Sequence, residues 1–210
     1  MAASRTTTRT RNPRGEGGRL RDEIVTAAVG LLDETGDANA VTLRSVARSA
    51  GIAAPSIYRH FPDQPAVMLA VVRSAFADLE VQLRIGLDAA GESPRGRLVA
   101  LCEGYLDYAR THSGRYRTMF GGVWMPDLHD SSVTREDVAT LGDTIMALLV
   151  DALERCIAAG ESTSTDAHSD TVALWLGLHG LAHQRASTVA FPWPPDIAER
   201  LIGTLAHLTE

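Results

Sequence analysis

Lysine does not occur in this chain: all twenty of its basic residues are arginine. Cysteine occurs twice, at Cys102 and Cys156, too few for a disulfide framework and with no C-x-x-C pair for redox or metal work. Both thiols are therefore expected to behave as small buried hydrophobes. No apolar run reaches the roughly 18–20 residues needed to span a bilayer, so no membrane partner is expected. The opening stretch MAASRTTTRTRNPRGEGGRLR lacks the apolar core of a signal peptide, which predicts a cytoplasmic protein. There is no G-x-S-x-G, no phosphate-cradling glycine loop and no acid pair tied to a nucleophile. Neither an enzyme nor a bound cofactor is expected on those grounds.

What is present is ordinary in amount and uneven in placement. A hydrophobic content of 45% and 22% charged residues over 210 positions supply a globular core of one large or two unequal domains. Residues 1–72 contain nine Arg and seven Asp/Glu, a balance of +2, whereas the remainder contains eleven Arg and nineteen Asp/Glu, a balance of −8. The basic end is where a polyanion would be met.

Apolar residues recur with helical period throughout, and no stretch alternates with period two, so the fold class is all-α. Residues 1–18 are poor in apolar side chains and rich in Thr, Arg and Gly, and read as a disordered basic arm. Residues 19–64 hold three short helices. The first runs from Leu20 to the stop at Gly36, and the second follows an N-cap at Thr42. The third begins near Ala54 with Pro55 in its first turn. A long helix starts at Pro65 and ends near Leu87. Helices are then expected over 94–112, near 113–121, over 132–159 as one long rod, over 167–187 and over 196–208. Residues 65–210 thus form a larger helical bundle.

The stretch VTLRSVARSAGIAAPSIYRHF, with Thr42, Ala47, Gly51, Tyr58, His60 and Phe61 at their spacing and IVTAAVGLLDETG before it, resembles the tetracycline-repressor (TetR) family of bacterial transcription regulators. The resemblance covers about residues 20–72 and implies a helix-turn-helix unit whose recognition helix enters the major groove. Small Ala53, Ala54 and Pro55 let that helix lie close to base edges and thymine methyls, and Ser56 can bond a phosphate or a base. The family pattern implies that Arg44 reaches a guanine and that Tyr58 and His60 contact phosphate. Arg59 and the free N–H groups after Thr42 are further phosphate candidates. The family's lysine after the His-Phe pair is replaced by Gln64. The usual capping hydroxyl before the recognition helix is Ala53, and the arginine-rich arm could reach DNA instead.

The resemblance further implies a homodimer, joined through the last two helices, that sits on an inverted-repeat operator and responds to a small molecule. Residues 172–178 are apolar around the whole helix, and Ile197, Leu201, Leu205 and Leu208 form one stripe, as such an interface requires. Trp175, His179 and Gly180 resemble a Trp-His-Gly motif of one subgroup. An apolar or aromatic effector would find its pocket among Tyr105, Tyr108, Tyr116, Met119, Phe120, Trp124, Met146, Trp175 and His179. His179 and His183 also have the spacing of a two-His metal edge, but no third ligand is identifiable and no metal is expected. The leading reading is a ligand-released repressor. Its rival is a DNA-binding regulator or architectural protein with no small-molecule effector.

Overall fold

A computed structural model describes residues 17–121 and 128–209 of the chain. Most of the expected arm and Trp124 lie outside the described residues. Helix α1 opens at Gly17, so the last two positions assigned to the arm are helical. In order come α1 (Gly17–Thr35), a 3-10 turn (Ala38–Ala40), α2 (Leu43–Ser49), α3 (Ala54–Ile57), α4 (Gln64–Ala89), α5 (Pro94–Thr111), α6 (Ser113–Phe120), α7 (Arg135–Ala139), α8 (Asp143–Ala158), α9 (Ala167–Ser187) and α10 (Ile197–Leu205). Among the described residues no strand forms; a single antiparallel bridge joins Ser162 to Leu208. No described helix is long and apolar enough to cross a membrane.

The ends of these helices follow from local chemistry. Thr42 and Ser45 form a reciprocal capping box at the start of α2: the Thr42 hydroxyl accepts from Ser45 N–H, and the Ser45 hydroxyl accepts from Thr42 N–H. Gly51 carries φ +66° in the turn that swings α2 into α3, and a side chain there would meet open space. Ala53 makes no side-chain cap, as its lack of a hydroxyl requires. Asp63 caps α4 by accepting from Ala66 N–H at 2.8 Å, a helix start one residue earlier than Pro65. Asp63 also accepts from Ser132 N–H at 2.7 Å, which ties the segment before α7 to the junction of the two regions.

The single rod expected over 132–159 is instead two helices, α7 and α8. Thr134 starts α7 with a capping box to Asp137, and Gly142 then breaks the chain with φ +85°. A Cβ on Gly142 would sit 3.0 Å from the Phe76 ring, so both the turn and the close packing on α4 demand glycine.

Two cores organise the molecule, and α4 belongs to both. The smaller joins Ile24, Ala28 and Leu32 of α1 to Val46, Ile57 and Phe61 and to Val67, Met68 and Val71 on the first half of α4. The Arg21 guanidinium lies over the Phe61 ring, 5.0 Å from its centre, which adds a cation–π contact to that closure. The larger core joins Leu79, Leu83 and Leu87 from the second half of α4 to α5, α8, α9 and α10. Cys102 and Cys156 are buried within it, and burial pushes their thiols up to about 12 and about 11, so both stay protonated and inert. The last two helices cross at Gly177, where a Cβ would lie 2.6 Å from Leu205 and 3.0 Å from Leu201.

Candidate functional site

Two groups of residues stand apart from structural packing: an exposed face on α2–α3 and a polar cluster inside the larger bundle. On the first, Ala54, Pro55, Arg44 and Arg59 are exposed and Tyr58 shows 55% of its surface, the only tyrosine of the four not buried. Ser56 and His60 are half-buried, and Ile57 behind them is buried in the core. The α3 backbone therefore presents small side chains outward with a flanking ring and two guanidinium groups, a shape suited to a groove edge. At the start of α2 the capping box occupies the Thr42 and Ser45 amides and the Thr42 hydroxyl oxygen. Fewer donors than expected are therefore open there, and those of Leu43 and Arg44 remain.

Inside the bundle, three of the residues singled out from sequence make one hydrogen-bonded cluster. Tyr116 Oη lies 2.8 Å from His179 Nδ1 and 3.1 Å from Tyr105 Oη, and Tyr105 Oη is 3.4 Å from the same nitrogen. Burial, and then His183, depress the His179 pKa, which keeps the ring neutral; burial raises both tyrosines and keeps them protonated. Tyr105 is fully buried and has no other acceptor among the described residues. The arrangement that satisfies every group is Tyr105 O–H donating to Tyr116, and Tyr116 O–H donating to His179 Nδ1. His179 Nε2 then carries the ring proton, with no partner among the described residues.

Around this cluster lie two hollows that share Phe120 as a wall. One, of about 340 Å³, is lined by Tyr105, Met119, Phe120, Met146 and Trp175 together with Phe76 and Asp143. The other, of about 300 Å³, is lined by Tyr116, Phe120 and His179 with Arg117 and His183. Phe120 packs edge-on against Phe76 at 5.6 Å and tilts against Trp175 at 6.1 Å. Seven of the nine expected ligand residues thus line these two spaces. Trp124 lies outside the described residues. Tyr108 lines neither: its hydroxyl donates to Ala75 carbonyl at 3.1 Å and its ring stacks on His112, so it fastens α5 to α4.

Helix α6 joins the cluster to the smaller core around α1 and α4, a connection the sequence did not disclose. Beside Tyr116, Arg115 grips Asp33 of α1 with Nε at 2.9 Å and Nη2 at 2.5 Å, and its Nη1 reaches Asp78 of α4 at 2.5 Å. The Asp33 hydrogen bonds raise the Arg115 pKa and fix it as a cation. Arg117 reaches the Gly36 carbonyl at 3.4 Å. The only signal in sequence was a run of alternating arginines, R-Y-R, with nothing to indicate partners 37 and 82 positions away.

Similarity to known proteins agrees with this two-part arrangement. Residues 24–71 match the family model described as bacterial regulatory proteins, tetR family, and residues 98–208, more than half of the chain, match that of the tetracyclin repressor-like C-terminal domain. The HTH-type transcriptional regulator BetI of Serratia proteamaculans is 26% identical over 180 residues, covering 81% of this chain and 87% of that protein. A solved structure of a protein of unknown function from Rhodococcus sp. RHA1 superposes with a TM-score of 0.75 at 25% identity, covering 95% of this chain and all of that one. A TetR-like transcriptional regulator from the same organism shares the fold, with a TM-score of 0.59 at 20% identity over 93% of this chain and 96% of its own.

Proposed function

The chain belongs to the tetR family of bacterial regulatory proteins and is a DNA-binding transcriptional regulator, and we propose that it works as a homodimeric repressor released from an inverted-repeat operator by a small apolar or aromatic molecule. In this reading Ala54, Pro55, Ser56 and Arg44 face bases, while Tyr58, Arg59 and His60 hold phosphates. The effector enters beside Tyr105, Tyr116, Phe120, Trp175 and His179.

One observation carries the proposal: α6 presents Tyr116 to the cavities and, one residue earlier, Arg115 to both α1 and α4. A ligand that packs against the Tyr116 ring presses on α6, and α6 is bonded to the helix-turn-helix core. Release follows when the ligand prefers the displaced arrangement; a tenfold loss of operator affinity requires about 1.4 kcal/mol of such preference.

A second copy suits the surface that α9 leaves open. Leu176 is 55% exposed on a helix whose Leu174 and Leu178 are fully buried. Of the α10 stripe, Leu201 and Leu205 pack on Gly177 of the same chain, so a charge at Leu201 would disturb the fold as well as any interface. Leu176→Arg is the cleaner disruption. The test is an operator titration on selected binding sites, with and without compounds that raise the melting temperature. Operator binding by a monomer, or binding that no stabilising compound weakens, would reject the reading.

A further inference from the structure

The reading above leaves the effector's charge open, and the groove beside His179 supplies it. We infer that this groove binds the anionic head of an amphipathic organic acid whose apolar body lies against Phe120 and Tyr116. The inference rests on the effector reading for its biological role, but its chemistry stands on the groove itself.

The hollow lined by His179 continues into a second one of about 410 Å³ between α5 and the end of α9, the two sharing Ala109, Ser113, Ala182 and Ala186. Five basic or imidazole side chains border this continuous groove: Arg110, Arg117, Arg185, His179 and His183. Among the described residues no aspartate or glutamate does. That composition runs against its surroundings, since residues 73–210 carry nineteen acidic residues to eleven arginines.

The cations are also available. Arg110 is paired with Asp107 at 2.6 Å. Arg117, by contrast, makes only the long contact to the Gly36 carbonyl, and Arg185 has no side-chain partner among the described residues. Arg185 lies in the last turn of α9, where it also offsets the partial negative charge of the helix end. The tyrosine chain adds direction: with Tyr116 donating to Nδ1, the ring proton of His179 sits on Nε2, which has no partner among the described residues. A carboxylate here meets an imidazole N–H and two guanidinium groups, while a cationic head would meet uncompensated like charge. The neighbouring hollow differs in kind, with aromatic and methionine walls and Asp143 as its one ionisable border besides Tyr105. The acid group therefore belongs on the His179 side.

The test uses three probes with one body and three heads: 4-phenylbutyrate, 4-phenylbutanamide and 4-phenylbutylamine, titrated calorimetrically into the full chain. The carboxylate is expected to bind about tenfold or more tightly than the amide, with the amine weakest. The margin should shrink between about 50 and 500 mM salt. Arg117→Gln/Arg185→Gln should erase the preference while leaving amide binding unchanged; both positions are exposed, and Arg185→Gln alone serves if the pair alters the melting temperature. Equal or weaker binding of the carboxylate, its failure to bind up to about 1 mM, or a preference that survives in the variants would overturn the inference. Operator release is scored in the same samples. Carboxylate binding without release supports the anion site and defeats effector control, whereas release by the amide alone defeats the anion site and leaves effector control standing.

Discussion

The four tyrosines divide the molecule in two. Tyr58 stands on the surface of the helix-turn-helix unit with over half its area open and no hydrogen bond among the described residues, while Tyr105, Tyr108 and Tyr116 are buried and each has a hydrogen-bond partner. The same side chain is an open valence in one region and a satisfied one in the other. The surface of the helix-turn-helix unit leaves its polar groups to water. The interior cluster has its polar groups bonded to one another, so a change there disturbs internal bonds and not contacts to water.

The largest expected effect tests how tightly the second region is built. Gly142→Ala forces a side chain into a left-handed turn and against Phe76, and should cost about 2–3 kcal/mol in urea unfolding. The matching change in the DNA-facing unit, Gly51→Ala, meets open space and should cost only about 1 kcal/mol from the positive φ alone. Equal losses would show that packing on α4 does not distinguish the two turns.

Next in size is the tyrosine comparison itself. Tyr116→Phe leaves the Tyr105 hydroxyl to donate to His179 Nδ1 across a poorer contact at 3.4 Å, and should lower stability by about 2 kcal/mol. Tyr58→Phe should leave stability unchanged and weaken operator binding on every sequence by about 1 kcal/mol, roughly fivefold. A loss of stability in Tyr58→Phe, with none in Tyr116→Phe, would reverse the division.

The helix-turn-helix fold could be read from sequence because its signals are local: a capping threonine, a glycine turn and an exposed run of small residues lie within about twenty positions. Helix α9 was equally legible, with Asp166 and Ser187 bounding the expected span. Gly142 was not, because a glycine inside an apolar-periodic run looks tolerable until Phe76 arrives from α4. The cavity residues were legible as a set but not as a bonding pattern. Tyr105, Tyr116 and His179 are brought together across 63 and 74 positions, and nothing in the sequence separates them from Tyr108, which serves packing. Arg115 went unnoticed for the same reason: its two carboxylates come from helices far away in the chain.

Arg115→Ala tests the link between the regions. Asp33 and Asp78 are each nearly half exposed, so water replaces much of what is lost and the stability cost should be about 1 kcal/mol. The diagnostic effect is on coupling. Operator affinity without effector should stay within about threefold of wild type, while the reduction caused by a bound effector should fall toward none. An unchanged effector response in this variant would place the coupling on α4 alone.

The smallest effect concerns protonation of the cluster. Burial, and then His183, lower the His179 pKa beneath its ordinary value of about 6.5. The unfolded chain thus binds this proton at a higher pH than the folded protein does, and stability rises with pH across the interval between the two values. His179 therefore contributes fully above about 6.5, and its contribution is lost as pH falls from there toward the folded-state pKa. Tyr105 and Tyr116, which bond or approach the ring, both remain protonated across this range. Because His179 is half-exposed, the loss should stay below about 1 kcal/mol. His179→Gln retains a side chain able to accept from Tyr116 but cannot titrate, so its stability should be flatter than wild type between about pH 7 and 5. His183→Gln, which removes the second cause of the depression, should leave the His179 pKa nearer its ordinary value and make the loss smaller. Parallel pH curves for wild type and His179→Gln would mean that this histidine is solvated like any surface residue, and the bonded cluster would no longer separate the interior tyrosines from Tyr58.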